Sequence, residues 1–377
     1  LTSILLIAGI LTSNLAAGQS DDLYQIPEAT DNGFLTAAPE DVGLDRKPLE
    51  ELTGLLRDDI FPNVHALLIQ KNGRLVYEEY FNGTDRRWSE AGEPIQVELQ
   101  FDRDTLHSTR SVGKSITSAL VGIALERGEI RSLDQKMMDF FPELAGRIKD
   151  PRKNDITIRQ LLQMRAGYPW EESTEELFHL LMTGFHTDTL VNVPLVREPG
   201  SDFEYSNLTS HILGLIVARA SGRDLLSYAQ EYLFDPLGIQ PGFWQQDWDG
   251  NVLGFSDLHL TARDLAKFGL LYMQDGTYAG HQVVPAQWVD DSLKIYSRNG
   301  WKHRVGRNWK DNAYGYQWWS IRAGNHRYSM AWGHGGEQIV LLKELDMMIV
   351  VTVDPLHLQH GGGPWKKEKA SLNLTAD

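Results

Sequence analysis

The sequence predicts an α+β fold in which one antiparallel sheet is built from both ends of the chain and flanked by helices. Segments rich in β-branched and aromatic residues lie near both ends, at about 64–81 and 314–353, and such residues favour strands. Between them, residues from about 101 to 284 mostly show the apolar spacing of helices. This order predicts a large, mostly helical insertion in the sheet.

The same patterns predict one domain over residues 43–377, which is large enough to be a catalytic domain. Its sheet subdomain is expected at about 43–100 and 285–377, and its helical subdomain at about 101–284. Residues 19–42 are polar, with scattered Pro, Gly and Asp, which indicates an extended lead-in.

Residues 1–18 are interpreted as the remnant of a secretory signal. An apolar run at 4–11 is followed by small residues at 16–18, and the run is too short to span a bilayer. We therefore expect a secreted or periplasmic protein with no stable membrane span once the signal is removed.

Each element is predicted from its own pattern. The Asn72-Gly73 pair between two strand-like runs is a strong hairpin signal, and Arg86 to Gln100 is interpreted as a polar connection. Strands are predicted at Val64–Gln70, Arg74–Phe81, Tyr314–Ile321, His326–Trp332, Gln338–Lys343 and Met347–Val353. Helices are predicted at Lys47–Arg57, from Ser111 to near Gly128, and at Ile158–Met164, Glu175–Met182, Asn207–Ala220, Leu225–Leu233, Ala262–Met273, Ala286–Leu293 and the start of 366–377.

Composition excludes several classes of function. Lys and Arg number 36 against 51 Asp and Glu, a net charge of −15, and no basic patch is visible, which argues against nucleic-acid binding. The chain has no cysteine, which excludes disulfides, thiolate catalysis and cysteine-based zinc sites. His357 and His360 lack further ligands, and 361–363 lacks the ending of a phosphate loop, so no metal or cofactor is expected.

Ser111 and Lys114 open the most informative of the predicted helices. A helix places positions three apart on one face, so the two side chains can touch. The helix start also carries free N–H groups and a partial positive charge that favours developing negative charge on a serine. This short motif is also common on exposed helices, where the lysine is a solvated charge. The helix is nevertheless apolar on most sides, which predicts burial, through Ile116, Ala119, Leu120, Ile123, Ala124 and Leu125.

Two later segments can contribute to the same site. Tyr205 and Asn207 stand just before a helix, and a tyrosine beside an ammonium can act as a base. The simpler interpretation is a half-buried tyrosine, with Asn207 as the helix cap. Glycines between Trp332 and Gly336 allow close approach of backbone and substrate, although a plain turn would also contain them. Trp170 is a further candidate for lining the cleft.

Together these segments resemble the motifs of the penicillin-recognising serine hydrolases. That superfamily contains class C β-lactamases, D-alanyl-D-alanine peptidases, and related esterases and amide hydrolases, including the 6-aminohexanoate-oligomer type. The family pattern is Ser-x-x-Lys, then Tyr-x-Asn, then Lys-Thr-Gly or His-x-Gly. The similarity covers nearly all of residues 40–377 and implies a β-lactamase/transpeptidase-like fold. The matching segments are Ser111-Val112-Gly113-Lys114, Tyr205-Ser206-Asn207 and His334-Gly335-Gly336.

The resemblance implies a role for each matched residue. Ser111 is expected to be the nucleophile, and Lys114 and Tyr205 are expected to share the proton transfers. The oxyanion hole is expected to combine the backbone N–H of Ser111 with a second N–H at Glu337 or Gln338. The candidate oxyanion and substrate-binding residues are Asn207, His334, Gly335, Gly336, Glu337, Gln338 and Trp170.

The expected function is therefore hydrolysis of a small-molecule ester or amide through an acyl-enzyme on Ser111. No Gly-x-Ser-x-Gly surrounds Ser111, which argues against an α/β-hydrolase. Antibiotic-binding members hold a carboxylate with Lys-Thr-Gly, whereas His334 and Gly335 offer neither the hydroxyl nor a fixed charge. This departure favours an esterase or amidase. The alternatives are a D-alanyl-D-alanine carboxypeptidase or β-lactamase and, in another class, a non-catalytic cell-wall ligand-binding protein of the same fold.

Overall fold

The computed structural model describes residues 24–30, 33–58, 60–61, 64–88, 94–298, 309–354 and 374–375. The predicted signal, His357, His360, the glycine run 361–363 and most of the predicted helix at 366–377 lie outside these ranges. No helix within them is both long enough and apolar enough to cross a membrane.

The main sheet is built from both ends of the chain, as predicted. Its strands lie in the spatial order β1-β3-β2-β15-β14-β13-β12-β11-β10, and only the edge strand β1 runs parallel to its neighbour. The sheet is therefore mixed, because one short strand from the lead-in joins an otherwise antiparallel array. The strands are β1 Leu35–Thr36, β2 Val64–Lys71, β3 Arg74–Tyr80, β4 Asn82–Trp88, β5 Pro94–Gln100, β6 Leu106–Ser108, β7 His259–Thr261, β8 Thr277–Tyr278, β9 His281–Gln282, β10 Ser297–Arg298, β11 Trp309–Tyr314, β12 Trp319–Ala323, β13 His326–Gly333, β14 Glu337–Leu342 and β15 Met347–Val353.

The helices lie mostly between the two halves of the sheet, as predicted. Their apolar spacing places α2 and α6 in contact inside the helical region, while α9 packs on β15 and β14. The α-helices are α1 Arg46–Arg57, α2 Gly113–Glu126, α3 Ile158–Leu162, α4 Glu175–Thr183, α5 Thr189–Asn192, α6 Asn207–Ser221, α7 Leu225–Ala229, α8 Asp235–Leu237, α9 Ala262–Met273 and α10 Ala286–Leu293.

Two predicted elements were wrong in detail, and a third is helical as predicted but locally irregular. Of the supposed connection at 86–100, residues 86–88 lie in β4 and residues 94–100 form β5, and these two strands pair antiparallel. The supposed strand at 314–321 contains the turn between β11 and β12, where Gln317 has a φ of 63°. The supposed helix at 225–233 passes from α7 into a π-helical segment, Gln230–Phe234, before α8.

The described part of the lead-in packs on the sheet. Tyr24, Phe34 and Val42 are buried, and the Tyr24 hydroxyl donates a hydrogen bond to the Val76 carbonyl at 2.6 Å. The domain start at residue 43 stays a prediction, as does the division into two subdomains.

Candidate active site

The 3₁₀ turn Arg110–Val112 leads directly into α2 and places Ser111 beside Lys114. The distance between Ser111 Oγ and Lys114 Nζ is 2.8 Å. Ser111 is half-buried, whereas Lys114 is only 1% exposed. The nucleophile candidate therefore reaches solvent while its partner amine is enclosed.

The amine of Lys114 has two further oxygen neighbours from distant parts of the chain. Its Nζ lies 2.8 Å from Asn207 Oδ1 and 3.2 Å from the backbone oxygen of Phe255. Burial lowers the pKa of Lys114 to about 7, and the nearby acids Glu171, Glu172 and Asp257 oppose this effect. Near neutrality a substantial share of the amine is neutral and can accept a proton.

Tyr205 is held beside this amine by aromatic packing. The Lys114 Nζ lies 4.9 Å from the centre of the Tyr205 ring. The Tyr205 ring also stacks on Trp319 and meets Tyr314 edge-on, with ring centres 5.7 Å and 6.4 Å apart. Trp318, the other tryptophan of this turn, instead packs in the core against Tyr272 and Phe268. The ring of Tyr205 is thereby fixed next to the ammonium.

The start of α6 fixes Asn207. Ser206, and not Asn207, is the cap, since its side chain accepts from Thr209 N–H. The buried carboxylate of Glu171 accepts hydrogen bonds from Ser206 Oγ and from the N–H groups of Asn207 and Leu208, each at 2.8 Å. Burial nevertheless raises the pKa of Glu171. The carboxyl group thus occupies the positive end of the helix that carries Asn207.

The turn after β13 lies against the segment that carries the nucleophile. Gly335 and Gly336 have φ values of 90° and 106°, which suit glycine. A side chain at Gly333 would come within 2.9 Å of the Cβ atoms of Arg110 and Glu337. A glycine at 333 therefore permits the sheet to approach the strand end before Ser111.

The other predicted binding residues occupy different environments. His334 is exposed at the turn, and Trp170 is half-buried directly before Glu171. The side chain of Glu337 is buried and accepts from Val353 N–H at 3.1 Å, and burial raises its pKa well above the usual range. Gln338 donates through Nε2 to the Gly336 carbonyl at 3.0 Å. A contact of Glu337 or Gln338 with substrate would therefore use the backbone.

Sequence reasoning missed Glu171, Phe255 and Asp257. Glu171 follows Trp170 in an unremarkable acidic run, and Phe255 contributes only a backbone oxygen. Asp257 accepts from Ser108, Arg110 and Ser256 side chains. The one available signal was for Asp257, which is the only acid in the mostly apolar stretch 252–260.

The sequence matches the Beta-lactamase family over residues 64–354. This range is more than half of the chain, and the chain belongs to the Beta-lactamase family. The predicted family and its α+β fold are therefore confirmed.

Two curated relatives are hydrolytic enzymes by name. The 6-aminohexanoate-dimer hydrolase of Paenarthrobacter ureafaciens is 27% identical over 267 residues, 66% of this chain and 66% of that protein. Esterase EstB of Burkholderia gladioli is 29% identical over 186 residues, 46% of this chain and 45% of that protein. The chain thus matches less than two thirds of the length of either relative.

A solved structure supports the fold. The octameric penicillin-binding protein homologue from Pyrococcus abyssi aligns with a TM-score of 0.62 at 20% identity, covering 88% of this chain and 77% of that chain.

Proposed function

We propose that this chain is a serine hydrolase that cleaves an ester or amide bond of a small substrate through an acyl-enzyme on Ser111. The observation that carries the proposal is the 2.8 Å separation of Ser111 Oγ from the buried amine of Lys114. The pKa of that amine, lowered to about 7, suits a base that works near neutrality. The family and the two relatives named above support hydrolysis.

In the acylation step, neutral Lys114 takes the hydroxyl proton as Ser111 Oγ bonds to the substrate carbonyl carbon. The carbonyl electrons move to its oxygen, which the N–H of Ser111 and a second N–H at Glu337 or Gln338 would stabilise. As the intermediate collapses, the leaving group departs with a proton supplied through Lys114 and Tyr205. Water then attacks the acyl carbon and gives one proton to the same groups. As the second intermediate collapses, the bond to Ser111 Oγ breaks, that proton returns to Ser111, and the acid is released.

Tyr205 and Asn207 support these proton transfers in different ways. The Tyr205 ring lies against the amine, so we infer that its hydroxyl relays protons between Lys114 and the leaving group. Asn207 offers Oδ1 to the amine at 2.8 Å and fixes its direction towards Ser111. Tyr205→Phe preserves the stacking on Trp319 and removes only the hydroxyl, so it should slow acylation strongly.

The substrate is inferred from what the turn offers. The exposed His334 and the glycines after it provide no fixed charge or hydroxyl for a substrate carboxylate. A neutral ester or amide therefore suits this site better than a carboxylate-bearing β-lactam or peptide. A secreted or periplasmic location stays a prediction from residues 1–18.

The test is intact mass after exposure to a fluorophosphonate, with peptide mapping, followed by a screen of short-chain esters, amides and a chromogenic cephalosporin. We expect one adduct on Ser111, none in Ser111→Ala, almost none in Lys114→Ala, and the fastest turnover with esters or amides. Faster cephalosporin turnover would favour the β-lactamase alternative. No adduct on Ser111 would overturn the proposal and favour a binding protein.

A further inference from the structure

The strand before Ser111 and the segment after Phe255 form one antiparallel ladder. β6 and β7 pair from Leu106 with Thr261 to Ser108 with His259. The next step of the same register joins Thr109 N–H to the Leu258 carbonyl at 2.7 Å. Continuing that register places Arg110 opposite Asp257.

Both residues leave the ladder in the left-handed conformation. Arg110 has a φ of 46° and Asp257 a φ of 56°, a region that costs free energy for residues with side chains. Aspartate tolerates this region better than arginine does. The two strands therefore diverge at a matched pair of strained residues.

An ion pair joins the two residues at the point of divergence. Arg110 Nη1 donates to Asp257 Oδ1 at 3.2 Å, and the two side chains are 17% and 21% exposed. Ser108 donates to the same carboxylate oxygen at 3.0 Å, and Ser256 donates to the other at 2.8 Å. The carboxylate of Asp257 thus holds side chains from both strands.

Each member of the pair stands next to an atom of the candidate proton path. Arg110 directly precedes Ser111. Asp257 lies two residues after Phe255, whose carbonyl is 3.2 Å from Lys114 Nζ. An added side chain at Gly113 would lie 3.6 Å from Ser256 N, so α2 begins in contact with this segment. A shift between the two strands would therefore change the Ser111–Lys114 geometry.

The pair is poorly arranged for stability alone. Among the described residues the buried Arg110 Nε has no hydrogen-bond partner, which is costly for a charged group. Its other acidic neighbour, Glu337, interacts with Arg110 through charge, and burial raises the pKa of that carboxyl well above its usual range. Asp257 is therefore the acid whose carboxylate oxygen lies within ion-pair distance of Arg110, at 3.2 Å.

We propose that the Arg110–Asp257 ion pair is a positioning clamp for the acylation step, fixing Ser111 on one strand and the Phe255 carbonyl on the other. The inference rests on the proposed function. Neither residue touches the reacting atoms; each acts through its neighbour. Loss of either charge lets the two strained segments relax, and the 2.8 Å contact between Ser111 and Lys114 then lengthens.

The test measures the rate of fluorophosphonate labelling of Ser111 against pH in Arg110→Gln, Asp257→Asn and the double variant. Asparagine keeps the tolerance for positive φ and removes only the charge. Each single variant should lose about tenfold to a hundredfold in rate. The double variant should be no slower than the slower single variant, because the clamp is already open.

The pH profile separates a clamp from general loosening. Removing the Asp257 charge should move the midpoint of the labelling rate to lower pH, because that carboxylate raises the pKa of Lys114. General loosening would admit water to Lys114 and raise the midpoint in both variants. Arg110→Lys, which keeps a charge within reach of Asp257, should recover most of the lost rate.

The matched control is Arg147→Gln, which removes the surface ion pair between Arg147 and Asp188 and should label at the wild-type rate. Wild-type labelling of Ser111 with unchanged rates in both single variants would overturn the clamp alone. The clamp would also be overturned if the fold-loss in labelling rate of the double variant equalled the product of the two single-variant losses. A wild-type protein that gives no adduct on Ser111 would overturn the proposed function, and the clamp with it.

Discussion

Burial and three opposing charges together set the pKa of Lys114. The amine is enclosed and has Asn207 Oδ1 and the Phe255 carbonyl as neighbours, while Glu171, Glu172 and Asp257 favour its charged form. The outcome, a pKa of about 7, makes a lysine useful as a base where an exposed lysine would stay protonated.

This pKa predicts the direction of the pH dependence. The protonated amine cannot accept the Ser111 proton, so acylation should rise as pH increases through about 7 and then level off. Fluorophosphonate labelling in single-turnover conditions measures this rate. Lys114→Ala should be slower by roughly a hundredfold or more and show no such rise. A wild-type rate that is flat across neutrality would remove Lys114 as the base.

We expect replacement of Glu171 to destabilise the fold, whereas replacement of the adjacent Glu172 should not. Its carboxylate accepts three hydrogen bonds at the start of α6, so Glu171→Ala would leave buried donors without an acceptor. We expect the free energy of unfolding to fall by at least about 2 kcal/mol. The control is Glu172→Ala, at an exposed position, which should change it by less than about 0.5 kcal/mol in denaturant unfolding. Equal effects would contradict the capping role.

The spacing of residues along the sequence predicted some contacts of the candidate site but could not predict others. Ser111 and Lys114 are three apart on one helix, so their contact followed from helical geometry. The contact of Glu171 with α6 and of Asp257 with Arg110 joins residues 36 and 147 positions apart. Such contacts depend on how elements pack, which local patterns do not specify.

At the scale of elements, apolar periodicity predicted most helices and strands correctly. The bounds of α9, α10 and β15 match the predicted ones. β4 was missed because its sequence is mostly polar and lacks the alternation of a half-buried strand. β5 does alternate, through Ile95, Val97 and Leu99, and this pattern was the signal for a strand. The turn before β12 was missed because the segment 314–319 contains four aromatic residues, and aromatic residues normally favour strands. They are Tyr314, Tyr316, Trp318 and Trp319.

We expect opposite effects on stability from glycine-to-alanine changes in two helices, at Gly122 in α2 and at Gly54 in α1. An added side chain at Gly122 would collide with the Trp288 ring, whereas one at Gly54 in α1 would meet nothing within 4 Å. Gly122→Ala should lower the free energy of unfolding by about 1–3 kcal/mol, because the core is overpacked. Gly54→Ala should raise it by up to about 1 kcal/mol through helix propensity. Stabilisation by both changes in denaturant unfolding would contradict the close packing of α2.

At the scale of the molecule, the sheet joins distant parts of the chain. β2 pairs with β15, and the lead-in adds β1 at the edge. Arg263, on α9, bonds Glu78 on β3 and donates to the Glu28 carbonyl at 3.1 Å. Composition predicted the joining of the ends, but it could not show that residues before 43 pack on the same sheet, since their pattern is polar.

The net charge of −15 predicts how the whole molecule treats charged substrates. A negative field disfavours the approach of anions, and salt screens that field. For a matched pair of esters, one neutral and one carrying a carboxylate, kcat/KM should favour the neutral ester by about tenfold at low salt. Raising the ionic strength should increase kcat/KM of the carboxylate ester several-fold and leave that of the neutral ester nearly unchanged, so the preference for the neutral ester narrows.

Part of the preference for the neutral ester should persist at high salt, because the turn at His334 offers no fixed charge to a carboxylate. A carboxylate ester preferred at all salt concentrations would contradict both the field and the inferred substrate, and would direct attention to D-alanyl-D-alanine peptides.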